Sequence, residues 1–178
     1  GKTMVYDLKN DRWLGSYSFN PEGFSSLENQ LYSFKDGQMY LHNQYSNQCE
    51  FYGVQYKPKI MFVSNFQPVT PKIYNSVAVE ANIQPSYLYL YNDYPYQQIS
   101  DLVDYQFRSL EGVWNATILR NLIQPTATGQ TVSSRLTGEK MRSVAMYFMA
   151  EFTVTGATPL ELKFFNIQFT MSSGNVNV

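Results

Sequence analysis

The chain has 178 residues, of which 16% are aromatic and 15% charged, and its formal net charge is −1. This length is enough for a single domain with a sizeable core. A near-neutral chain without a basic run lacks the electrostatic footprint of a nucleic-acid binder, so we expect no sequence-specific DNA or RNA recognition. The lone Cys49 excludes an internal disulfide, and no apolar run reaches the length of a membrane span.

Two hairpins are expected near the start of the chain. Residues 4–8 and 13–19 are short apolar runs on either side of a polar turn, and they should pair. Residues 31–35 and 38–42 flank Asp36-Gly37, a dipeptide that favours the positive φ angles of a two-residue hairpin turn. Residues 24–27 are predicted to form a brief helical turn or a loop.

The first 50 residues resemble part of a β-propeller blade, with an inner and an outer hairpin. A single blade cannot bury both of its own faces, so residues up to about Asn43 need neighbours. We therefore predict blade-like β-hairpins over residues 1–50 and a separate β-sandwich domain over residues 51–178, although the two could also form one compact unit.

The pattern from residue 51 onward is typical of a sandwich. A strand is predicted at 59–63. Residues 76–83 alternate, which directs Val77, Val79, Ala81 and Ile83 inward. In residues 87–91, Leu88 and Leu90 share one face and three tyrosines share the other. The fold class predicted for the chain is all-β, with an antiparallel, jelly-roll-like β-sandwich.

The middle of the chain is less regular. Residues 93–104 are predicted to form a long loop, and residues 103–107 a strand. Residues 111–119 fit either a strand entered through Gly112 or a short helix, because Trp114 and Ile118 also match helical spacing. Residues 125–134 are rich in Thr, Ser and Gly, which indicates a mobile loop.

The stretch 143–171 predicts two long strands joined by a Gly/Pro turn. In the first strand Met146, Phe148, Ala150 and Phe152 fall on one parity and are expected to face inward. In the second strand the apolar parity changes between Phe164 and Phe165. A strand cannot exchange faces without an extra residue, so we predict a β-bulge there or a crossing between sheets.

Chemically reactive groups are few. His42 is the single histidine, and a nucleophilic pair with Cys49 is conceivable, but an ordinary hairpin-edge histidine and a small, buried or half-buried cysteine are the favoured interpretation. Asp101, Asp104 and Glu111 are the carboxylates that a hydrolase would use, but they also fit solvated loop residues. We predict no enzyme activity, no metal site and no cofactor.

Five tyrosines form the candidate interface: Tyr87, Tyr89, Tyr91, Tyr94 and Tyr96. A tyrosine row combines large apolar area with polar tips, which suits a protein interface or a sugar-stacking platform. The alternative interpretation is that Tyr87, Tyr89 and Tyr91 cover a second sheet.

The sequence also resembles a known family. The residues that carry the resemblance are, in chain order, Tyr6, Asp7, Trp13, Tyr17, Ser18, Phe19 and Pro21, then Phe34, Lys35, Asp36, Gly37, Tyr40, His42 and Asn43, then Phe51, Tyr52, Gly53 and Lys72, then Phe107, Glu111, Gly112, Trp114, Ala116 and Arg120, and last Leu136, Gly138, Lys140 and Arg142. Together they look like the C-terminal part of the tail nozzle or muzzle (stabilisation) proteins of short-tailed, crAss-like bacteriophages.

This resemblance implies a non-enzymatic virion component that forms rings with other tail subunits around the DNA exit channel. Such proteins are much longer than this chain, and a start at Gly1 fits an excerpt of one. The alternative function is a carbohydrate-binding β-sandwich of a bacterial surface or secreted protein, which would use the tyrosine row. A hydrolase using Asp101, Asp104 or Glu111 is a third hypothesis.

Overall fold

The computed structural model describes residues 1–42, 47–93, 97–123 and 138–172. Within these ranges the chain consists of antiparallel strands and one short 3-10 turn, Asp104–Gln106, which confirms the predicted all-β class. The same ranges contain no helix of the length and apolar character needed to cross a membrane. The chain forms two compact units: unit 1 is Gly1–Lys57 with Val154–Pro159, and unit 2 is Pro58–Thr153 with Leu160–Val178.

Unit 1 is built from short paired strands. In chain order they are β1 (Thr3–Asp7), β2 (Arg12–Tyr17), β3 (Gly23–Leu27), β4 (Gln30–Lys35), β5 (Gln38–Leu41), β6 (Glu50–Phe51) and β7 (Val54–Gln55). Strand β1 pairs with β2, β4 lies between β3 and β5, and β6 pairs with β7. Both predicted hairpins are confirmed. Asp36 and Gly37 have φ angles of 50° and 72°, as a type I′ turn requires.

The helical turn or loop predicted for residues 24–27 is wrong, because these residues form β3. Glu28 and Asn29 have φ angles of 50° and 61° and close a second tight turn, which folds β3 onto β4. Asparagine tolerates this backbone region better than most residues, but Glu-Asn is a much weaker turn signal than Asp-Gly.

The interior of unit 1 is small. Phe19 is buried, and its ring stacks on the rings of Phe51 and His42 with centroids 4.3 Å and 5.4 Å away. In contrast, Leu8, Trp13 and other large apolar side chains of these hairpins are exposed. Unit 1 therefore buries only a small part of the apolar surface that its sequence provides.

Unit 2 contains two antiparallel sheets. Its strands are β8 (Lys59–Ser64), β9 (Lys72–Ala81), β10 (Pro85–Tyr91), β11 (Ile99–Val103), β12 (Arg108–Leu110), β13 (Val113–Thr117), β14 (Arg142–Ser143), β15 (Met146–Phe152) and β16 (Leu162–Met171). The four-stranded sheet has the order β11-β10-β15-β8. In the five-stranded sheet β16 pairs along β9, while β13 and β14 pair with successive parts of β9, and β12 pairs with β13.

The two sheets of unit 2 enclose one hydrophobic core. Leu88, Leu90 and Phe148 from the four-stranded sheet are fully buried, as are Val77 and Val79 from the five-stranded sheet. The rings of Phe62 and Phe165 meet between the sheets, with centroids 4.5 Å apart. The predicted antiparallel β-sandwich is therefore confirmed, as are the inward positions of Leu88 and Leu90 and of Val77, Val79 and Ala81.

The two long strands predicted for residues 143–171 are present as β15 and β16, but they do not form the strand pair that a joining turn would suggest. Strand β15 lies between β10 and β8, whereas β16 pairs with β9 in the other sheet. Their side chains close the core from opposite sides, so the residues between the strands connect two sheets. The inward parity of Met146, Phe148, Ala150 and Phe152 is confirmed.

The predicted change of face in β16 is also confirmed. Leu162 packs on the core, Phe164 is exposed, and the core-facing residues continue with Phe165 and Ile167. The pairing with β9 shifts register between Leu162 and Phe164. The chain therefore accommodates the extra residue as a β-bulge, slightly earlier than the predicted Phe164-Phe165 position.

Three predictions for the middle of the chain need correction or completion. Residues 93–104 are not one loop, because β11 pairs with β10 and buries Ser100 and Leu102. The strand predicted at 103–107 is instead the 3-10 turn. For residues 111–119 the strand alternative is correct, since Glu111 and Gly112 form a positive-φ turn between β12 and β13. The loop predicted at 125–134 lies outside the described residues.

Candidate functional site

The outer surface of the four-stranded sheet carries the tyrosines of β10. Paired residues of neighbouring strands point to the same side of a sheet, so the partners of Tyr87, Tyr89 and Tyr91 also face outward. This surface, called here the tyrosine face, has three rows across the strands β11, β10, β15 and β8. The rows are Ile99, Tyr91, Tyr147 and Val63; Asp101, Tyr89, Met149 and Met61; and Val103, Tyr87, Glu151 and Lys59.

The first two rows are mostly apolar and aromatic. Tyr91 stacks on Tyr147 with ring centroids 4.8 Å apart, and Tyr89 lies 5.8 Å from Tyr91. At the β8 edge Met61 is 65% exposed and Val63 is 48% exposed. Large apolar side chains that remain accessible on a sheet face are the usual composition of a contact surface.

Charged groups lie at the border of the tyrosine face. Lys59 Nζ is 2.8 Å from Glu151 Oε2 and closes the third row with an ion pair. Near the opposite end, the carboxylate of Asp93 lies close to the Tyr147 hydroxyl. The negative charge of Asp93 raises the pKa of Tyr147 above its ordinary value, because it disfavours the phenolate. An apolar centre with a charged border is the arrangement found in many protein interfaces.

The outer surface of the five-stranded sheet is different in character. There Ser76 Oγ donates to Gln168 Oε1 at 3.0 Å, and Lys163 Nζ lies 2.7 Å from Glu80 Oε1. These cross-strand polar pairs suit contact with water. The sandwich therefore has one polar outer face and one rich in tyrosine and methionine.

Sequence reasoning identified only part of the tyrosine face. The structure brings Tyr87, Tyr89 and Tyr91 together, whereas Tyr94 and Tyr96 lie outside the described residues. The residues missed were Tyr147, Met149, Met61 and Val63. Tyr147 and Met149 occupy the outward parity of β15, and this alternation was the available signal, but their place beside β10 depends on strand pairing.

The proposed His42 and Cys49 pair does not have the geometry of an activated nucleophile. Both residues line a cavity of about 350 Å³ in unit 1, yet within the described residues no hydrogen bond joins them. His42 Nε2 instead lies 2.6 Å from Ser33 Oγ, which is also 2.8 Å from the Tyr52 hydroxyl. Burial raises the pKa of the Cys49 thiol, which keeps it protonated and weakly nucleophilic.

The three candidate carboxylates occupy different elements. Asp101 is in β11, Asp104 begins the 3-10 turn, and Glu111 is in the turn between β12 and β13. Asp104 Oδ1 accepts a hydrogen bond from the backbone N–H of Tyr105 at 2.7 Å, which is a turn-forming role. In the described part of the chain, no three His, Cys, Asp or Glu side chains lie close enough to hold a metal ion.

Comparison with known proteins finds a family match over part of the chain. Residues 46–121 match the family model of the Crassvirus muzzle protein C-terminal domain, a stretch that includes β6 to β13 and the three tyrosines of β10. Comparison with curated proteins finds no match. The family match confirms the resemblance found in the sequence. Over residues 46–121 the chain is therefore similar to the C-terminal domain of crAss-like phage muzzle proteins, and this similarity indicates a component of the virion tail.

Proposed function

We propose that this chain is a non-enzymatic module of the tail nozzle or muzzle, and that it packs with other subunits around the DNA exit channel. In this proposal unit 2 supplies a sandwich that docks through the tyrosine face. Residues 1–50 supply blade-like hairpins that complete their burial against neighbouring subunits. The family match supports the virion role, and the contact surface is argued from the physical chemistry of the two sheets.

The observation that carries the proposal is the contrast between the two outer faces of the sandwich. The five-stranded sheet pairs its outward polar groups with one another, as Ser76 does with Gln168. The four-stranded sheet presents Tyr89, Met149 and Met61 in one row. Tyrosine and methionine are enriched in interfaces, because each buries a large area and adapts to an irregular partner.

Unit 1 supports the same function independently. Leu8 and Trp13 are among its exposed large apolar side chains, although isolated hairpins need a hydrophobic face to be stable. A partner subunit that covers these side chains would stabilise unit 1. Formation of a ring with other copies of the full-length protein provides such a partner, and so do other proteins of the tail.

A carbohydrate-binding role is the second candidate, since tyrosine rings can stack on sugars. The geometry favours the protein interface over this role. Tyr91 and Tyr147 stack with an interplanar angle of 11°, so each ring already covers one face of the other. Tyr89 leans towards Tyr91 at an interplanar angle of 30°.

The experiment uses the muzzle protein that contains this chain, with Tyr89→Ser and Met149→Ser introduced together. Tyr105→Ser is the matched control, because Tyr105 is 77% exposed in the 3-10 turn and lies outside the tyrosine face. Light scattering after size exclusion, together with electron microscopy, measures ring assembly. We expect the double variant to lose assembly with an unchanged unfolding temperature, while the control assembles normally. Normal assembly of the double variant with loss of binding on a glycan array would support the carbohydrate role.

A further inference from the structure

A cavity of about 380 Å³ in unit 2 has a cationic lining. It is bordered by Ile73, Gln98, Arg120, Glu139, Lys140 and Arg142. The side chains come from β9, from the residue before β11, from the segment after β13, and from the residues that lead into and begin β14. Three cations and one carboxylate give this lining a formal charge of +2, whereas the whole chain has a net charge of −1.

Buried amide side chains hold the backbone around this cavity. Gln98 is almost fully buried: its Nε2 donates to Lys140 O at 3.1 Å, and its Oε1 accepts from Arg142 N at 2.6 Å. Asn92 Nδ2 donates to Arg142 O at 3.0 Å, and the backbone N–H of Asn121 donates to Glu139 O at 2.8 Å. The backbone that carries the cations is therefore fixed by satisfied buried hydrogen bonds.

The charged ends of the cations remain available. Arg120 uses Nη1 to donate to Gly138 O at 3.0 Å, which orients its guanidinium. In the described residues, neither Lys140 nor Arg142 forms an ion pair. All 14 acidic residues of the sequence fall in those described ranges, so no other side-chain carboxylate of the chain neutralises these two cations. Glu139 instead accepts a hydrogen bond from Gln98 Nε2 at 3.4 Å.

We propose that this cavity binds an oxyanion of the phosphate class, with Arg120, Lys140 and Arg142 as its ligands. Arginine donates paired N–H groups to phosphate oxygens, and lysine adds a compact point charge. The formal charge of +2 on the lining balances the charge of −2 on a phosphate dianion. The phosphate group could come from free phosphate or from a phosphodiester backbone contacted without regard to sequence, since both present the same tetrahedral oxygens.

The test measures binding to the 178-residue chain by calorimetry at constant ionic strength, with inorganic phosphate in one series and a short oligothymidylate in the other. The variants are Lys140→Gln alone and Lys140→Gln with Arg142→Gln. Arg108→Gln is the matched control, because Arg108 is an exposed cation in β12 that does not line the cavity. Thermal unfolding establishes that each variant is folded. Lys140→Gln changes an exposed side chain and leaves the buried hydrogen bond from Gln98 to the backbone of residue 140 in place.

We expect saturable phosphate binding that weakens about tenfold or more in the double variant, while Arg108→Gln changes it less than about twofold. If both ligands bind and both depend on these side chains in the same way, the natural ligand of the cavity is a nucleic-acid backbone. Binding of inorganic phosphate alone assigns it to the free ion. The proposal is overturned by an absence of saturable phosphate binding, or by an equal loss in Arg108→Gln.

Discussion

Tyr91 and Tyr147 stack across two hydrogen-bonded strands, with ring centroids 4.8 Å apart and planes only 11° from parallel. The pair links β10 to β15 on the outer surface of the sandwich. Packing of the hydrophobic core therefore does not explain why these two rings stack. A stacked pair of this kind presents a preorganised aromatic surface, which lowers the conformational entropy that a partner would have to remove on binding.

The first prediction concerns the ionisation of Tyr147. The nearby Asp93 carboxylate raises the pKa of Tyr147 above the ordinary 10.0. Since the folded state holds the proton more tightly than the unfolded state, this contribution to stability is complete below pH 10 and is lost as pH rises through the higher folded value. Asp93→Asn should lower the pKa of Tyr147. To measure this pKa, the tyrosinate absorbance is titrated for each protein and for its Tyr147→Phe derivative, and the difference between the two curves isolates Tyr147. Asp36→Asn in the β4–β5 turn should leave it unchanged, and an equal effect of both variants would contradict the assignment.

The second prediction concerns His42. Partial burial lowers the pKa of His42 below 6.5, because the charged imidazolium is harder to solvate there. The unfolded chain then binds the proton more readily, so acidification from pH 6.5 down to the folded value should reduce the stability of unit 1. His42 is the single histidine, which makes its ring-proton NMR signals unambiguous. We expect a titration midpoint below that of the same signals in denaturant, and a midpoint above it would exclude the desolvation argument.

The third prediction tests the sandwich core. Phe148 is fully buried against Phe62 with ring centroids 5.0 Å apart, so Phe148→Ala should cost about 3–5 kcal/mol of unfolding free energy. Phe164→Ala should cost much less, because Phe164 is 44% exposed beside the bulge. Trp114 belongs to unit 2, and its fluorescence in a Trp13→Phe background reports denaturant unfolding of that unit. Similar losses for the two alanine variants would argue against the assigned faces of β15 and β16.

The fourth prediction concerns a buried lysine. Lys72 Nζ donates to the backbone carbonyls of Phe66 at 2.5 Å, Thr70 at 3.1 Å and Gln67 at 3.2 Å, and so organises the loop between β8 and β9. Lys72→Met keeps the apolar stem but removes the charged donor, which should cost about 1–3 kcal/mol because three charge-assisted hydrogen bonds to the loop are lost. Lys163→Met, at an exposed ion pair with Glu80, is the control and should have a smaller effect. Denaturant unfolding measures both, and equal effects would contradict the role of Lys72.

Periodicity was sufficient to identify which residues of a strand face the core. Leu88 and Leu90 in β10, and Phe148 and Ala150 in β15, alternate with outward residues and are all fully buried. The same rule located the change of face in β16, because a bulge leaves a break in parity that remains visible in sequence.

Strand pairing could not be obtained in this way. The inward residues of β15 and β16 have the same character, whether the strands are neighbours in one sheet or face each other across a core. The extent of the tyrosine face depends on that distinction, since Tyr147 lies beside Tyr91 only because β15 pairs with β10. Lys72 was equally inaccessible to sequence reasoning, because a charged side chain indicates exposure unless the loop that surrounds it is known.

The placement of Val154–Pro159 in unit 1 affects how the chain can be divided. These residues follow β15 and precede β16, so the backbone leaves unit 2, enters unit 1 and returns. Gly156 O accepts a hydrogen bond from Gln48 N at 3.0 Å, and removal of residues 1–57 would delete that donor from a segment still anchored at both ends. The two compact units are therefore interleaved in the gene, and neither can be transferred to another protein as one contiguous cassette.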